Sequence, residues 1–209
     1  MVGPASYLTQ KPTGKRIDSH EIVVRISEPM HRLGHPAIVG KRMDILYLPP
    51  SLTKIFVLHN RNHTVSWGEK TVFKTQDVLT AYRRWVAIGL QYIVGRPLDP
   101  TLQPWDKLPT PFVPIHELWV EQHEQVAGVE KMSMSGVVTT AHLLESDLRS
   151  LHITGFDFYR SGYYHDVNNA KALSTGEDEG QIKYFKHLIT DHADRVTTDN
   201  RIAKILSEY

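Results

Sequence analysis

The sequence predicts an α/β fold, with a Rossmann-like and mostly parallel sheet flanked by helices, in one domain that covers residues 1–209. Short apolar runs alternate with amphipathic segments, as in a chain of strand–helix–strand units. A length of 209 residues suffices for one domain with a substantial core but not for two full ones. Hydrophobic residues make up 41% of the chain and charged residues 22%, which is ordinary globular composition.

Apolar runs between turn signals predict the strands, and apolar spacing of 3.6 residues predicts the helices. A first strand at Met1 and Val2 is very short, unless residues have been trimmed from it. The other predicted strands are Glu21–Ile26, Met43–Leu48, Lys54–Leu58, Leu90–Val94 and Leu151–Phe156, and the predicted helices are Gln76–Val86, Ser135–Leu144, Gln181–His192 and Asp199–Leu206. Residues 95–116 contain six prolines, so we expect an irregular loop, of the kind that often carries ligand specificity.

Charge and cysteine content exclude several classes of function. The formal net charge is +1, so no global field marks the chain as a binder of nucleic acid or membrane, although a local basic face stays open. The absence of cysteine excludes disulfides, thiolate metal sites and a cysteine nucleophile. No apolar run approaches the roughly 18 residues that span a bilayer, and the start does not resemble a secretion signal. We therefore expect a cytoplasmic protein.

The first candidate ligand site is the glycine turn Gly3-Pro4-Ala5-Ser6, which follows the short first strand. Such a turn places backbone N–H groups where an anionic ligand is favoured. Arg25, near the end of the next strand, is a candidate for holding a phosphate. The alternative is that the turn only reverses the chain, which is the commoner role of glycine and proline.

The second candidate segment puts two serines and a glycine at a predicted helix start. Ser133 precedes this helix, and Ser135 and Gly136 begin it. Free N–H groups and hydroxyls at a helix start suit ribose oxygens or a phosphate. The alternative is an ordinary N-cap.

The third candidate segment is the end of a predicted strand. Gly155-Phe156-Asp157 delivers a carboxylate to the carboxyl edge of the sheet, where ligands bind in open α/β folds. Tyr164 and His165 follow a few residues later. The aromatic residues of this segment could instead be core, which is their commoner role.

Together these segments resemble glycosyltransferase family 29, the sialyltransferase-like family. Val2–Asp44 is similar to its long motif, Ser133–Asp157 to its short motif, and Tyr163–His165 to its third motif. The resemblance implies a single glycosyltransferase domain with a variant of the GT-A fold, in a small soluble member of bacterial or phage type. It also implies an inverting transfer from a CMP-activated donor, CMP-sialic acid or the related Kdo, as co-substrate, with no metal ion and no other cofactor.

The resemblance also implies roles for individual residues. Ser135 and Gly136 would hold cytidine or phosphate, and Tyr164 or His165 would contact the departing phosphate. The full set of nucleotide-binding residues that it suggests is Gly3, Pro4, Ala5, Ser6, Arg25, Ser133, Ser135, Gly136, Gly155, Asp157 and Tyr164. Two positions depart from the family pattern, because Pro4 and Ser27 stand where the family usually has asparagine.

The catalytic base has two candidate assignments, because the last family motif normally supplies a histidine and residues 176–181 contain none. In the first, one acid among Glu177, Asp178 and Glu179, with Asp178 favoured, is the base and His165 steadies the phosphate. In the second, His165 is the base, since its ordinary pKa suits proton transfer near neutral pH. The acids could instead be an exposed helix start that favours the helix dipole.

Several acceptors and functions stay open at this stage. The acceptor is expected to be a glycan, a lipid-linked glycan or a modified base in DNA, since Lys11–Arg16 and Arg83-Arg84 could follow a phosphate backbone. A non-catalytic CMP-binding module is the alternative to an enzyme. A Rossmann dehydrogenase is disfavoured, because the turn lacks the pattern Gly-x-Gly-x-x-Gly. The histidine pairs His59/His63 and His187/His192 lack the setting of a metal site.

Overall fold

The structure is a computed structural model that describes residues 1–26, 36–40, 42, 44–48, 86–89, 112–115, 117–130, 132, 134–162 and 176–209. A 3₁₀ helix covers Ser6–Gln10. The α-helices of the described residues are α1 (Gly14–Asp18), α2 (Pro36–Val39), α3 (Glu117–Ala127), α4 (Ser135–Leu144), α5 (Gly176–Asp191) and α6 (Asn200–Leu206). The strands are β1 (Val24–Ile26), β2 (Ile45–Leu48), β3 (Val86–Gly89), β4 (Phe112–Pro114), β5 (Leu151–Ile153) and β6 (Val196–Thr198).

Parallel pairing organises the described strands. One sheet has the order β1-β2-β3-β4 and a second sheet pairs β5 with β6. Val2 forms single-residue parallel bridges to Arg25, in β1, and to Thr154, directly after β5. The amino terminus therefore lies between the two sheets and connects them, which fits the predicted α/β class and its very short first strand.

Two predictions about local structure are wrong. Val86 was predicted to end a helix but begins β3, a β-branched apolar run that pairs with β2 on one side and β4 on the other. Phe112–Pro114 was predicted to be irregular but forms β4. Proline is tolerated there because β4 ends the described strand order, and an outer strand can lack one N–H donor. The predictions for 54–58, 76–85, 90–94 and 95–111 lie outside the described residues.

The predictions for the other helices agree more closely with the structure. The bounds of α4 are those predicted from the serine–glycine turn at its start, and α6 begins after Asp199, whose side chain caps it by accepting from Arg201 N and Ile202 N. Helix α5 begins at Gly176 instead of Gln181, with acidic residues in its first turn, where the helix dipole favours them. Helix α3 and the short α1 were not predicted.

The main core lies where α4 and α5 pack beside the β strands. Val137 and Val138 of α4 and Ile182 of α5 are fully buried. The rings of Phe156, Phe158 and Phe185 pack against one another with centroids 4.7–5.4 Å apart. Among the described residues, no helix combines the length and apolarity needed to cross a membrane.

Candidate functional site

Backbone hydrogen bonds fix the amino-terminal glycine turn against the loop that follows β5. Gly3 N donates to Thr154 O and Ala5 N donates to Gly155 O, both at 2.9 Å. Further along, Ser6 N donates to Gly162 O at 2.9 Å, and the Ser6 hydroxyl donates to Ser161 O. The two turns, about 150 residues apart in sequence, therefore form one rigid backbone unit.

Glycine is required where these two turns touch. A Cβ atom on Gly3 would collide with the Gly155 carbonyl oxygen, and one on Gly155 would collide with the Gly3 carbonyl oxygen. Gly155 also has φ +71°, in the left-handed region that favours glycine. The close approach of the two backbones brings Pro4 and Ala5 beside the residues that follow Gly155.

A small cleft, about 30 Å³ in volume, lies at this junction, and we call it the glycine cleft. It is bordered by the glycine turn, the end of β1, the start of α4 and the loop after β5. Its described lining consists of Pro4, Ala5, Ile26, Ser135, Gly136, Gly155, Phe156, Asp157, Tyr159 and Gly162.

The start of α4 forms one wall of the glycine cleft. Ser135 and Gly136 are the first two residues of the helix and both are buried. The preceding Met134 N donates to Oε1 of the fully buried Gln181 of α5 at 2.8 Å, which fixes the helix start. The first N–H groups of a helix lack intrahelical acceptors and carry the positive end of the dipole, so this wall suits an anion.

Asp157 is the one carboxylate of the described cleft lining. The residue is 2% exposed, and its Oδ2 atom forms no hydrogen bond within the described part of the chain. Arg201 Nη2 lies 3.8 Å away. Burial raises the pKa of Asp157, against the opposing effects of Ser161 and Arg201. The cleft therefore contains a buried carboxyl that can take up a proton or accept hydrogen bonds from hydroxyl or amine groups of a ligand.

An unusual backbone conformation follows Asp157. Phe158 has φ +57° and Tyr159 has φ +65°, and neither is glycine. Backbone strain of this kind costs roughly 1–3 kcal/mol and needs support from surrounding contacts. The fully buried Phe158 ring provides it by packing against Phe156 and Phe185. This packing holds Asp157 and Tyr159 at the cleft.

A hydrogen-bond network supports the loop from the side of α6. The Tyr7 hydroxyl accepts from Gly155 N at 2.7 Å and donates to Asp199 Oδ2 at 2.5 Å. Thr154 Oγ1 donates to the same carboxylate oxygen at 2.7 Å. Burial and the Asp199 carboxylate raise the pKa of Tyr7, so the phenol keeps its proton. Asp199 thereby joins the α6 cap to the backbone of the cleft.

The structure brings together six of the predicted nucleotide-binding residues, namely Pro4, Ala5, Ser135, Gly136, Gly155 and Asp157. Gly3 and Ser6 are next to the cleft but are engaged in the backbone contacts already described. Ser133, Tyr164 and His165 lie outside the described residues.

Arg25 is not among the described residues that line the glycine cleft, and its predicted contact with a phosphate stays a prediction. It is 1% exposed, and its guanidinium donates to Val39 O at 2.7 Å and to Arg42 O at 2.9 Å. Asp44 Oδ2 meanwhile accepts from Val23 N at 2.7 Å and pairs with Arg42 at 2.9 Å. These charged residues of the long motif stabilise the connections around β1 and β2 instead of lining the cleft.

The predicted catalytic acids occupy the first turn of α5, and neither Asp178 nor Glu179 belongs to the described cleft lining. Glu179 is exposed, and its Oε2 atom lies 4.0 Å from Nζ of Lys183, one turn further along the helix. Asp178 is half-buried, and Glu177 precedes it in the same turn. Asp178 stands three residues before Gln181, whose amide oxygen accepts from Met134 N at the start of α4.

Sequence reasoning missed several residues of this region. Tyr159, Ile26 and Gly162 line the cleft, and Arg201 faces Asp157. Tyr159 belongs to the aromatic segment after the predicted strand, which was a usable signal. No sequence signal pointed to Arg201, because its position depends on how α6 packs beside β5.

Comparison with known families adds to this geometry. Residues 1–82 match the model of glycosyltransferase family 29 (sialyltransferase). The predicted resemblance is confirmed over this part of the chain. The family 29 match includes the glycine turn and β1, and it supports a glycosyltransferase activity. A search of curated proteins finds no match to the chain.

Proposed function

We propose that the chain is an inverting, metal-independent glycosyltransferase that moves a sugar from a CMP-activated donor to a hydroxyl of a cytoplasmic acceptor. The donor sugar is sialic acid, Kdo or a related sugar. One observation carries the proposal: Ala5, Ser135 and Asp157, from three distant parts of the sequence, line the same cleft. The parallel strands on either side of Val2 support a Rossmann-like arrangement around it.

The chemistry of the lining supports a nucleotide as the ligand. The N–H groups of Ser135 and Gly136 stand at the positive end of α4, which favours a phosphate. The Asp157 carboxyl is suited to a ribose hydroxyl or the cytosine amino group, since it has an oxygen without a hydrogen bond among the described residues. Tyr159 offers an aromatic ring on the same lining. Donors, an acceptor and an aromatic ring are the groups that fix a bound nucleotide.

An inverting transfer also needs a base for the acceptor hydroxyl. In the favoured assignment, Asp178 is the base and His165 contacts the phosphate. In the alternative assignment, His165 is the base. Asp157 becomes a further candidate, because burial raises its pKa towards the range in which a carboxyl exchanges protons efficiently. A positioned base contributes roughly 10²–10⁴-fold to the rate.

A panel of CMP-sugars scored for CMP release, together with calorimetric titration of CMP, tests this proposal. Asp178→Asn should abolish transfer and leave CMP affinity nearly unchanged, whereas Asp157→Asn should weaken CMP binding. His165→Ala should reduce both the rate and CMP affinity. Asp191→Asn is the matched control, because this exposed acid lies at the other end of the same helix and pairs with His187. If none of the variants differs from this control in either assay, the site assignment is wrong.

The same assays separate the alternative functions. Saturable CMP binding with no turnover of any donor would favour a non-catalytic CMP-binding module. A modified base in DNA is the alternative acceptor, in place of a glycan or lipid-linked glycan. Its binding should weaken steeply with salt, through counterion release. An acceptor affinity that is flat in salt would remove DNA from consideration.

A further inference from the structure

A second cavity, of about 430 Å³, lies between the 3₁₀ helix, α1 and the start of α6. We call it the basic cavity, after the side chains of Lys11, Arg16 and Arg201 that line it. Its described lining shares no residue with that of the glycine cleft. Its volume falls in the range of roughly 300–1,000 Å³ that is typical of small-molecule sites.

Positive charge in the basic cavity exceeds the negative charge that faces it. Lys11 and Arg16 are exposed and form no ion pair within the described part of the chain. Arg201 is 42% exposed at its side chain and lies 3.8 Å from Asp157, which belongs to the other cleft. Three cations from three separate elements therefore converge on one concave surface.

The single acid in the described lining, Asp199, does not neutralise this charge through direct pairing. Its Oδ1 atom accepts from Arg201 N and Ile202 N at 3.0 Å each. Its Oδ2 atom accepts from the Tyr7 and Thr154 hydroxyls. Both oxygens are occupied by structural hydrogen bonds, so the lysine and arginine side chains remain available to a ligand.

Within the described part of the chain, His152 adds a buried polar atom without a partner to the same cavity. It lines the basic cavity, and its Nε2 atom is buried with no hydrogen-bond partner among the described residues. The other ring nitrogen lies 2.9 Å from Thr197 Oγ1. Burial, followed by positive groups that include Arg16, lowers the pKa of His152. An anion in the cavity would offset the repulsion between Lys11, Arg16 and Arg201.

We propose that the basic cavity binds a phosphate group, held by Lys11, Arg16 and Arg201. Arginine suits this task because its planar fork donates two parallel hydrogen bonds to phosphate oxygens, and lysine adds a mobile point charge. The phosphate belongs either to a small phosphomonoester or to the backbone of a nucleic acid. This site does not depend on the proposed donor cleft, because the two linings are separate and each can be tested alone.

Titration calorimetry of the full chain with inorganic phosphate, at constant ionic strength, tests the site. The double variant Lys11→Gln/Arg16→Gln should raise the phosphate Kd by about tenfold or more, since it removes two charge-assisted hydrogen bonds. The matched control Lys15→Gln/Lys204→Gln removes the same charge from α1 and α6 at residues outside the cavity lining. It should change the Kd less than about twofold.

Titration of the same variants with cytidine, which lacks a phosphate, keeps this proposal separate from the donor site. Both double variants should bind cytidine as the parent does, whereas Arg201→Gln should affect phosphate and cytidine together, because Arg201 also faces Asp157. Equal weakening of phosphate binding by the control, or no saturable phosphate binding by the parent chain, overturns the proposal. Thermal unfolding of each variant verifies that the chain is folded.

Two further ligands distinguish the source of the phosphate. If ribose 5-phosphate competes with inorganic phosphate and a short DNA duplex does not, the ligand is a small phosphomonoester. If the duplex binds instead, Lys11→Gln/Arg16→Gln should reduce the slope of log K against log salt by nearly one for each DNA phosphate that the variant no longer neutralises. If neither ribose 5-phosphate nor the DNA duplex competes with inorganic phosphate, the assignment of the cavity to phosphate ligands is wrong.

Discussion

Arg201 Nη2 lies 3.8 Å from Oδ2 of Asp157, and the two residues belong to the linings of different cavities. Asp157 is 2% exposed, whereas the Arg201 side chain is 42% exposed. The charge on the buried carboxyl of the glycine cleft therefore depends on a cation that solvent and ligands in the basic cavity can reach. This pair is a charged contact between the two cavities.

The first prediction concerns Asp157 and pH. Its pKa in the folded chain is raised above the ordinary value of 3.8, because burial disfavours the charged form. The protonated group thus favours folding below about pH 4, and this contribution is lost as the pH rises through the raised pKa. In urea unfolding between pH 4 and 7, the free energy of unfolding of the parent minus that of Asp157→Asn should decrease with pH. A pH-independent difference would show that the carboxyl is not perturbed.

The second prediction concerns Gly136, where a Cβ atom would collide with the Phe156 ring. Overpacking of this kind costs roughly 1–3 kcal/mol, although alanine gains about 1 kcal/mol over glycine inside a helix. Gly136→Ala should therefore lower the free energy of unfolding by about 1 kcal/mol and weaken CMP binding. The double variant Gly136→Ala/Phe156→Leu should recover part of the lost stability and part of the lost CMP affinity, because leucine leaves room for the methyl group. A single variant as stable as the parent would contradict the packing.

The third prediction concerns the Tyr7 hydroxyl, which bonds Gly155 N and Asp199. Tyr7→Phe leaves Gly155 N with the contact of 3.4 Å to Asp199 Oδ2 and should cost about 1–3 kcal/mol of stability. Amide hydrogen exchange at Gly155 should accelerate as well. Tyr209→Phe is the control, since the Tyr209 hydroxyl only accepts from Arg160 at 3.3 Å. Unchanged exchange at Gly155 in Tyr7→Phe would argue against the network.

The fourth prediction concerns Gln181, which is fully buried and accepts from Met134 N at 2.8 Å. Gln181→Leu leaves that N–H buried without its acceptor and should destabilise the chain by about 1–3 kcal/mol. The start of α4 should also move, so CMP binding should weaken. Gln125→Leu, at an exposed position of α3, should change stability by less than about 0.5 kcal/mol. Equal effects of the two variants would rule out a positioning role for Gln181.

Several features of this protein could be predicted from sequence because their causes are local. The serine–glycine turn at Ser135 marks the start of α4, and the cap at Asp199 sets the start of α6. The predicted family rests on the long, short and third motifs, and the match over residues 1–82 confirms it for the long motif. The glycine turns and the strand end at Asp157 were likewise recognisable as places where backbone or carboxylate groups become available.

Tertiary structure alone decided how these local features are used. Arg25 has the charge of a phosphate ligand, but packing places its guanidinium against the carbonyls of Val39 and Arg42. The run Val86–Gly89 became a strand because β2 and β4 supply hydrogen-bond partners that are distant in sequence. Arg201 reaches Asp157 only through the packing of α6 beside β5. Periodicity and propensity report on neighbours within a few residues, whereas partner choice across the sheet depends on contacts between segments that the sequence keeps far apart.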